Sequence, residues 1–175
     1  MKVILVLVTS LDGKITKWDD PLLRNWSSKD DKRHFSRIWR VSGLVVLGSN
    51  TYNAERILPS GGRRIVVMTR DPSAYKKHEV PGQLEFSDAS PTLLVERFQK
   101  EGYRRMLVAG GGHIAASFLK DQLVDELWLT FEPMIFGTGA SLVAGAQLDV
   151  GLRLISCEII NDQGTMINKY SIVKK

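Results

Sequence analysis

Three consecutive glycines, Gly110-Gly111-Gly112, stand between the apolar run "RRMLVA" and the amphipathic stretch "HIAASFLKDQL". A strand that ends where a helix begins leaves unpaired backbone N–H groups and the positive end of the helix dipole aimed at one point. That point suits an anion, and the lack of side chains lets a pyrophosphate come close to the backbone. The same glycines serve equally to make a tight strand-to-helix turn with no ligand. Their spacing is not G-x-G-x-x-G, and no such motif follows the first apolar run, so a conventional Rossmann domain is not expected.

Two other strand ends carry related chemistry. Gly48-Ser49-Asn50-Thr51 follows "LVVL" and offers amides and hydroxyls at a second strand-to-helix junction. Thr69-Arg70 closes "RRIVVM", and a hydroxyl beside a guanidinium suits a phosphate monoester. Three such ends in one parallel sheet point to an extended dinucleotide. Asp31 is a different kind of signal. Helical spacing puts it on one face with Phe35 and Ile38, and close to Trp39, so a carboxylate interrupts an apolar stripe. It reads either as a first-turn acid favoured by the helix dipole or as a functional group. Lys29, Lys32, Arg33 and His34 surround it. The segment "SKDDKRHFSRIWR" is the densest basic stretch, and it divides evenly between a solvated face and an anion site.

Other polar residues say less. His34, His78 and His113 lack metal-ligand spacing, so no metal site is expected. His113 follows the glycines, where it either touches a phosphate or is solvated. Strand parity places Glu132 with Trp128 and Thr130, lining a pocket or facing solvent. Cys157, the only cysteine, is expected as a small buried residue and excludes an intrachain disulfide. No nucleophile, base and orienting group come together in the pattern.

The elements that must position these residues alternate. Val3–Val8 is a continuous run of β-formers, and "SLDGK" is a turn. The chain is then irregular from Lys17 to Trp26, with a proline at 21. Ser27 or Ser28 caps a helix that reaches about Ser42 and stops at Gly43. Strands follow at 44–48, 64–68 and, briefly, 84–86, with a helix opening at "SNTY" and a plain connection at "PSAYKKHEVPG". "SPTLLVERFQKEG" has a cap, a proline in the first turn and a terminating glycine, hence a helix. "RRMLVAG" is strand, "GHIAASFLKDQL" helix and "VDELWLTFEPMIFG" strand, while "TGASLVAGAQL" is weakly structured. "LRLISCEIINDQGTMINKYSIVKK" reads as a hairpin about "NDQG". The fold class is therefore α/β, a mainly parallel sheet flanked by helices with a C-terminal antiparallel hairpin.

Bulk properties narrow the classes. At 175 residues, a single domain over 1–175 is expected. The formal charge of +5 favours anionic partners, but the charges are scattered and form no basic stripe interleaved with aromatics, so nucleic acid is not expected as a partner. The opening apolar run is short, lacks a small-residue cleavage site and meets Asp12-Gly13 at once, so it is read as a core strand. Nothing else is long enough to span a membrane, and a cytoplasmic location is the default expectation.

Taken in order, "TSLDGKI", "WSSKDDKRHFSRIWRVSGLVVLGSNT", "GRRIVVMTR" and "VAGGGHIAASFLKDQLVDELWLTFEPMIFGTG" resemble the reductase-domain family of riboflavin biosynthesis, which shares the dihydrofolate reductase fold. The resemblance spans nearly the whole chain. It implies a reductase in which NADPH donates a hydride to 5-amino-6-(5-phosphoribosylamino)uracil, turning the ring-opened sugar into a ribityl chain. Carried over by position, Gly110, Gly111 and Gly112 hold the pyrophosphate, with His113 beside them. Gly48, Ser49, Asn50 and Thr51 line the cofactor groove, and Thr69 and Arg70 address the adenosine 2′-phosphate. Asp12 and Lys14 fall in the substrate-side loop. Asp31 stands near the acid of folate reductases, and Lys32, Arg33 and Arg37 are candidates for the substrate's phosphate.

The chain departs from the riboflavin pattern in having Gly110 where an acid often precedes a Gly-Gly pair. That departure keeps a dihydrofolate or other pterin reductase of unassigned substrate as the alternative. No zinc-binding deaminase signature accompanies the reductase pattern, so a bifunctional enzyme is not expected. A catalytically silent NADPH-binding protein is a further reading. The resemblance and the C-terminal strand edge together imply a homodimer.

Overall fold

The computed structural model describes residues 1–18, 20, 25–55 and 57–174. The irregular stretch expected from Lys17 to Trp26 therefore falls partly, Pro21 included, outside the described residues. The elements are β1 (Lys2–Ser10), α1 (Lys29–Val41), β2 (Leu44–Gly48), α2 (Ser49–Glu55), β3 (Arg64–Met68) and β4 (Leu84–Ser87). They continue with α3 (Pro91–Lys100), β5 (Arg105–Val108), α4 (Gly112–Lys120), β6 (Glu126–Glu132), β7 (Gly151–Ile159) and β8 (Met166–Val173). Together the strands form one eight-stranded sheet in the order β4-β3-β2-β5-β1-β6-β8-β7. Neighbours from β4 through β6 are parallel, and β8 turns antiparallel against β6.

The apolar runs are continuous because both faces of the parallel part are covered. On one face Leu5, Val46, Val66 and Val108 pack with Leu94 and Phe98 of α3 and with Ala115 and Phe118 of α4. On the other, Ile4, Val6, Val45, Leu47, Ile65 and Val67 meet Phe35, Ile38 and Trp39 of α1 and Tyr52 of α2. α1 starts where expected: the Ser28 hydroxyl oxygen accepts from the Asp31 N–H at 3.1 Å. Segment 73–78 is more than a connection, forming a short 3-10 turn. Its Tyr75 stacks on Phe86 of β4 with ring centroids 4.7 Å apart, a contact between distant residues that local sequence does not announce.

Strand order creates the site. β2 and β5 are neighbours, but α2 follows β2 onto one face while α4 follows β5 onto the other. The two connections diverge from adjacent carboxyl ends and leave a crevice between them, the usual ligand position in open α/β sheets.

The hairpin departs from expectation at one residue. β7 lies outermost on the β8 side, and all nine of its residues are exposed. Cys157 is among them, so it is a surface thiol and not the small buried residue its apolar surroundings suggested. The reason is positional: helices cover the parallel strands, while both faces of β7 are open. No helix among the described residues is long and apolar enough to cross a membrane.

Candidate functional site

The glycines of β2 and of the β5–α4 turn meet at the crevice. The Gly48 N–H donates to the Gly110 carbonyl at 3.1 Å, tying the two strand ends together. Gly110 has φ +90°, and a Cβ there would lie 2.6 Å from Leu7 Cδ2, so only glycine fits. At Gly112 a Cβ would collide with the Ser141 carbonyl. Gly111 differs, since a Cβ there would meet nothing closer than Thr51 Oγ1 at 3.7 Å. Its bare α-carbon opens onto the space between Thr51 and Ile15. α4 begins at Gly112 with Gly111 as its N-cap, which offers no side-chain acceptor, and its first turn carries no acid. A phosphate fits that set: a bare backbone, first-turn amides without a side-chain cap, and the positive end of a dipole.

Around this point lies a cavity of about 1300 Å³. Gly48, Ser49, Asn50, Thr51, Gly110, Gly111, Gly112 and His113 all line it, and so do Thr69 and Arg70 from the end of β3. The ten residues assigned to a cofactor from the sequence thus border one space. Ser87 and Asp88 join them from the end of β4. The same strand-end reasoning would have found this pair, but β4 has only four residues and gave a weak sequence signal.

The six residues assigned to the substrate side and to catalysis lie outside that lining. Asp31 is buried, 2% exposed, one helical turn before Phe35, which does reach the cavity. Lys32, Arg33 and Arg37 are exposed on α1, and Arg33 pairs with Asp30 at 3.0 Å. Asp12 accepts from the Ser10 hydroxyl at 2.6 Å and from the backbone N–H groups of Phe136 and Gly137 at 3.1 and 2.7 Å. The Ser10 bond, aided by those two amides, holds its carboxyl down at about 2. Lys14 pairs by backbone with Ser141, and its N–H donates to Ser10 Oγ at 2.9 Å. The turn therefore delivers Ile15 and Thr16 to the cavity wall beside Ala140 and Ser141.

Several participants were not among the expected site residues. Phe35, Ser36 and Trp39 of α1 line the cavity together with Glu55, Ile57 and Leu58. The segment 140–144, weakly structured in the sequence, contributes Ala140, Ser141 and Ala144. Ala144 is held there by its N–H donating to the Gly112 carbonyl at 3.2 Å. Glu132 neither lines the cavity nor faces solvent. It is 1% exposed, and its carboxyl accepts from the Ser28 N–H and the Thr165 hydroxyl, both at 2.8 Å. It thereby joins the start of α1 to the turn before β8. Among the described residues, no group of three or more His, Cys, Asp or Glu side chains is placed to hold a metal ion.

Known proteins share this architecture. A pyrimidine reductase-like protein from Corynebacterium diphtheriae superposes with a TM-score of 0.78 at 12% identity, over 99% of this chain and 92% of that one. A diaminohydroxyphosphoribosylaminopyrimidine deaminase/5-amino-6-(5-phosphoribosylamino)uracil reductase from Thermotoga maritima gives 0.76 at 18% identity, and the present chain covers 56% of it. In sequence, a 2,5-diamino-6-ribosylamino-4(3H)-pyrimidinone 5′-phosphate reductase of Methanothermobacter thermautotrophicus is 26% identical over 196 residues, 90% of each chain. An uncharacterized protein, YwjB, of Bacillus subtilis is 26% identical over 159 residues, 87% of this chain and 88% of its own. Residues 1–165 match the family described as the RibD C-terminal domain, and the chain belongs to that family, within the dihydrofolate reductase-like superfamily.

Proposed function

We propose that the protein is an NADPH-dependent reductase that transfers a hydride to a small ring-bearing substrate in the crevice between β2 and β5. The observation that carries this reading is the convergence of Gly48–Thr51, Thr69-Arg70 and the uncapped start of α4 on one cavity. Bound NADPH supplies the hydride, and the chain's own residues bind and orient. The backbone at Gly111 and the first turn of α4 take the pyrophosphate, Ser49, Asn50 and Thr51 border the groove, and Thr69 with Arg70 takes the 2′-phosphate. Reduction of a C=N bond also needs a proton on nitrogen. Asp31, buried one turn from Phe35, is the carboxyl that relays it.

Two substrates fit. The first is 5-amino-6-(5-phosphoribosylamino)uracil, supported by the activity named for the T. maritima protein, with Lys32, Arg33 and Arg37 swinging in to its phosphate and Asp12 and Lys14 shaping the facing loop. The second is a pterin or similar ring, favoured by the apolar wall that α1 gives the cavity. The protein works as a homodimer through the β7 edge.

The test is loss of reduced-nicotinamide absorbance with each substrate, NADH serving as the cofactor control, beside a fluorescence titration of NADPH. Turnover of either substrate with NADPH is expected. Asp31→Asn should lower turnover while leaving NADPH affinity nearly unchanged, and equal turnover in the two proteins removes Asp31 from the mechanism. Binding of NADPH without turnover of any C=N or C=O compound would leave a silent nucleotide-binding protein.

A further inference from the structure

The end of the cavity assigned to the adenosine is built where two strands leave the sheet together. β3 and β4 run parallel with Met68 opposite Ser87, and the Thr69 N–H donates to the Ser87 carbonyl at 2.9 Å. Thr69-Arg70 and Ser87-Asp88 therefore emerge side by side, with Ser90 at the cap of α3 close behind. All five residues line the cavity.

The hydroxyl oxygens at this end already accept hydrogen bonds. Thr69 Oγ1 accepts from the Asp71 N–H at 3.3 Å, Ser87 Oγ from the Ala89 N–H at 3.1 Å and Ser90 Oγ from the Leu93 N–H at 3.4 Å. Their hydrogens stay available, so each can still donate to a phosphate. The Asp71 carboxylate is likewise engaged, by the Ser73 hydroxyl and the Ala74 N–H. Asp88 differs. Its carboxylate is exposed, and the described structure gives it no hydrogen bond or ion pair. Arg70 is in the same condition, so a cation and an anion stand at neighbouring strand ends without pairing to each other. A carboxylate repels a phosphate, but it accepts a charge-assisted hydrogen bond from a sugar hydroxyl. In dinucleotide sites of open α/β sheets an acid takes the adenosine ribose 2′-hydroxyl and an arginine takes a 2′-phosphate. This end of the cavity holds one of each.

We infer that Asp88 is a specificity-determining residue that accepts a hydrogen bond from the adenosine 2′-hydroxyl of NADH, so that the cavity takes NADH as well as NADPH. The inference rests on the nicotinamide-nucleotide part of the reductase reading. In NADPH that hydroxyl carries the phosphate, which Arg70 attracts and Asp88 opposes. The two residues thus act in opposite senses on the choice of nucleotide.

Fluorescence titration of the unaltered protein, Asp88→Ala and Asp88→Asn with NADH and with NADPH tests it. The unaltered protein is expected to bind both nucleotides. Asp88→Ala should weaken NADH binding roughly fivefold to tenfold, the loss of one hydrogen bond to a partly solvated charged group. The same substitution should strengthen NADPH binding roughly twofold or more, because a like charge near the 2′-phosphate is gone. Asp88→Asn keeps an acceptor oxygen without the charge, so it should lose less NADH affinity and still gain for NADPH. Asp88 also stands two residues before the α3 cap, where an acid favours the helix dipole. A merely structural role there would move both nucleotides in the same direction. A matched change for the two, unchanged NADH binding in Asp88→Ala, or an unaltered protein that binds NADPH alone overturns the inference. Failure of both nucleotides to bind would remove the nicotinamide site and the inference with it. Binding of both without turnover of any substrate would sink the reductase reading and leave the role of Asp88 standing.

Discussion

Arg70 and Asp12 are both charged residues at strand ends, yet the chain uses them in opposite ways. The described structure gives the exposed Arg70 guanidinium no ion pair or hydrogen bond, and it lines the cavity beside Thr69. The Asp12 carboxyl accepts three hydrogen bonds, one from Ser10 at the end of β1 and two, from Phe136 and Gly137, that staple the turn after β1 to the loop after β6. Residue type made Arg70 look like a ligand contact and the family resemblance did the same for Asp12, because the sequence does not say which partners are already taken. In the proposed reading Arg70 meets the 2′-phosphate that NADH lacks. Arg70→Ala should therefore weaken NADPH binding by about 1.5–3 kcal/mol, the value of a hydrogen bond to a charged group, and leave NADH binding unaltered. Fluorescence titration with both nucleotides checks it, and a matched loss for the two would remove Arg70 from the 2′-phosphate site.

At the scale of elements, α1 decides what reaches the crevice, and Glu132 decides where α1 begins. The helix itself was legible: a serine cap, acids in the first turn, the apolar positions 35, 38 and 39, and a stop at Gly43. Its anchorage was not. Glu132 sits on the strand face that parity gave it, but its bonds to the Ser28 N–H and the Thr165 hydroxyl join residues 104 and 33 positions away. Removing the carboxyl would leave a half-buried amide and a buried hydroxyl short of an acceptor. Glu132→Ala should cost about 2–4 kcal/mol of unfolding free energy. Glu132→Gln, which keeps one acceptor oxygen, should cost less. Urea denaturation of the three proteins checks the order, and equal stability of Glu132→Ala and the unaltered protein would mean that the tie contributes nothing.

At the scale of the molecule, one edge of the sheet is unfinished. Among the described residues β7 pairs only with β8, and Leu154, Ile155 and Ile159 are 55%, 52% and 67% exposed. An open strand edge with apolar residues at its centre invites pairing with another strand, and a second copy presents the same edge. The proposed homodimer predicts that the protein sediments as a dimer at micromolar concentration, and that Leu154→Lys with Ile155→Lys shifts it to monomer without loss of helical circular dichroism. A monomeric unaltered protein under those conditions would sink the assignment.

The sequence by itself determined the strands of the parallel sheet, the caps of α1 and α3, and the glycine-rich ends that could receive an anion. Each of these depends on a residue and its near neighbours: β-branched runs, a serine three positions before the amide it caps, a glycine where a side chain has no room. Tertiary structure decided which of those ends share a cavity. That follows from β5 inserting between β1 and β2, a pairing of residues some sixty positions apart that Val46 and Val108 make and no local pattern encodes. It also decided that Phe35, Trp39, Glu55 and Leu58 border the same cavity as the glycines, that Glu132 is a buried tie, and that Cys157 is a surface thiol. Exposure and partnership are properties of what lies across space, and a strand reads the same in sequence whether or not another layer covers it.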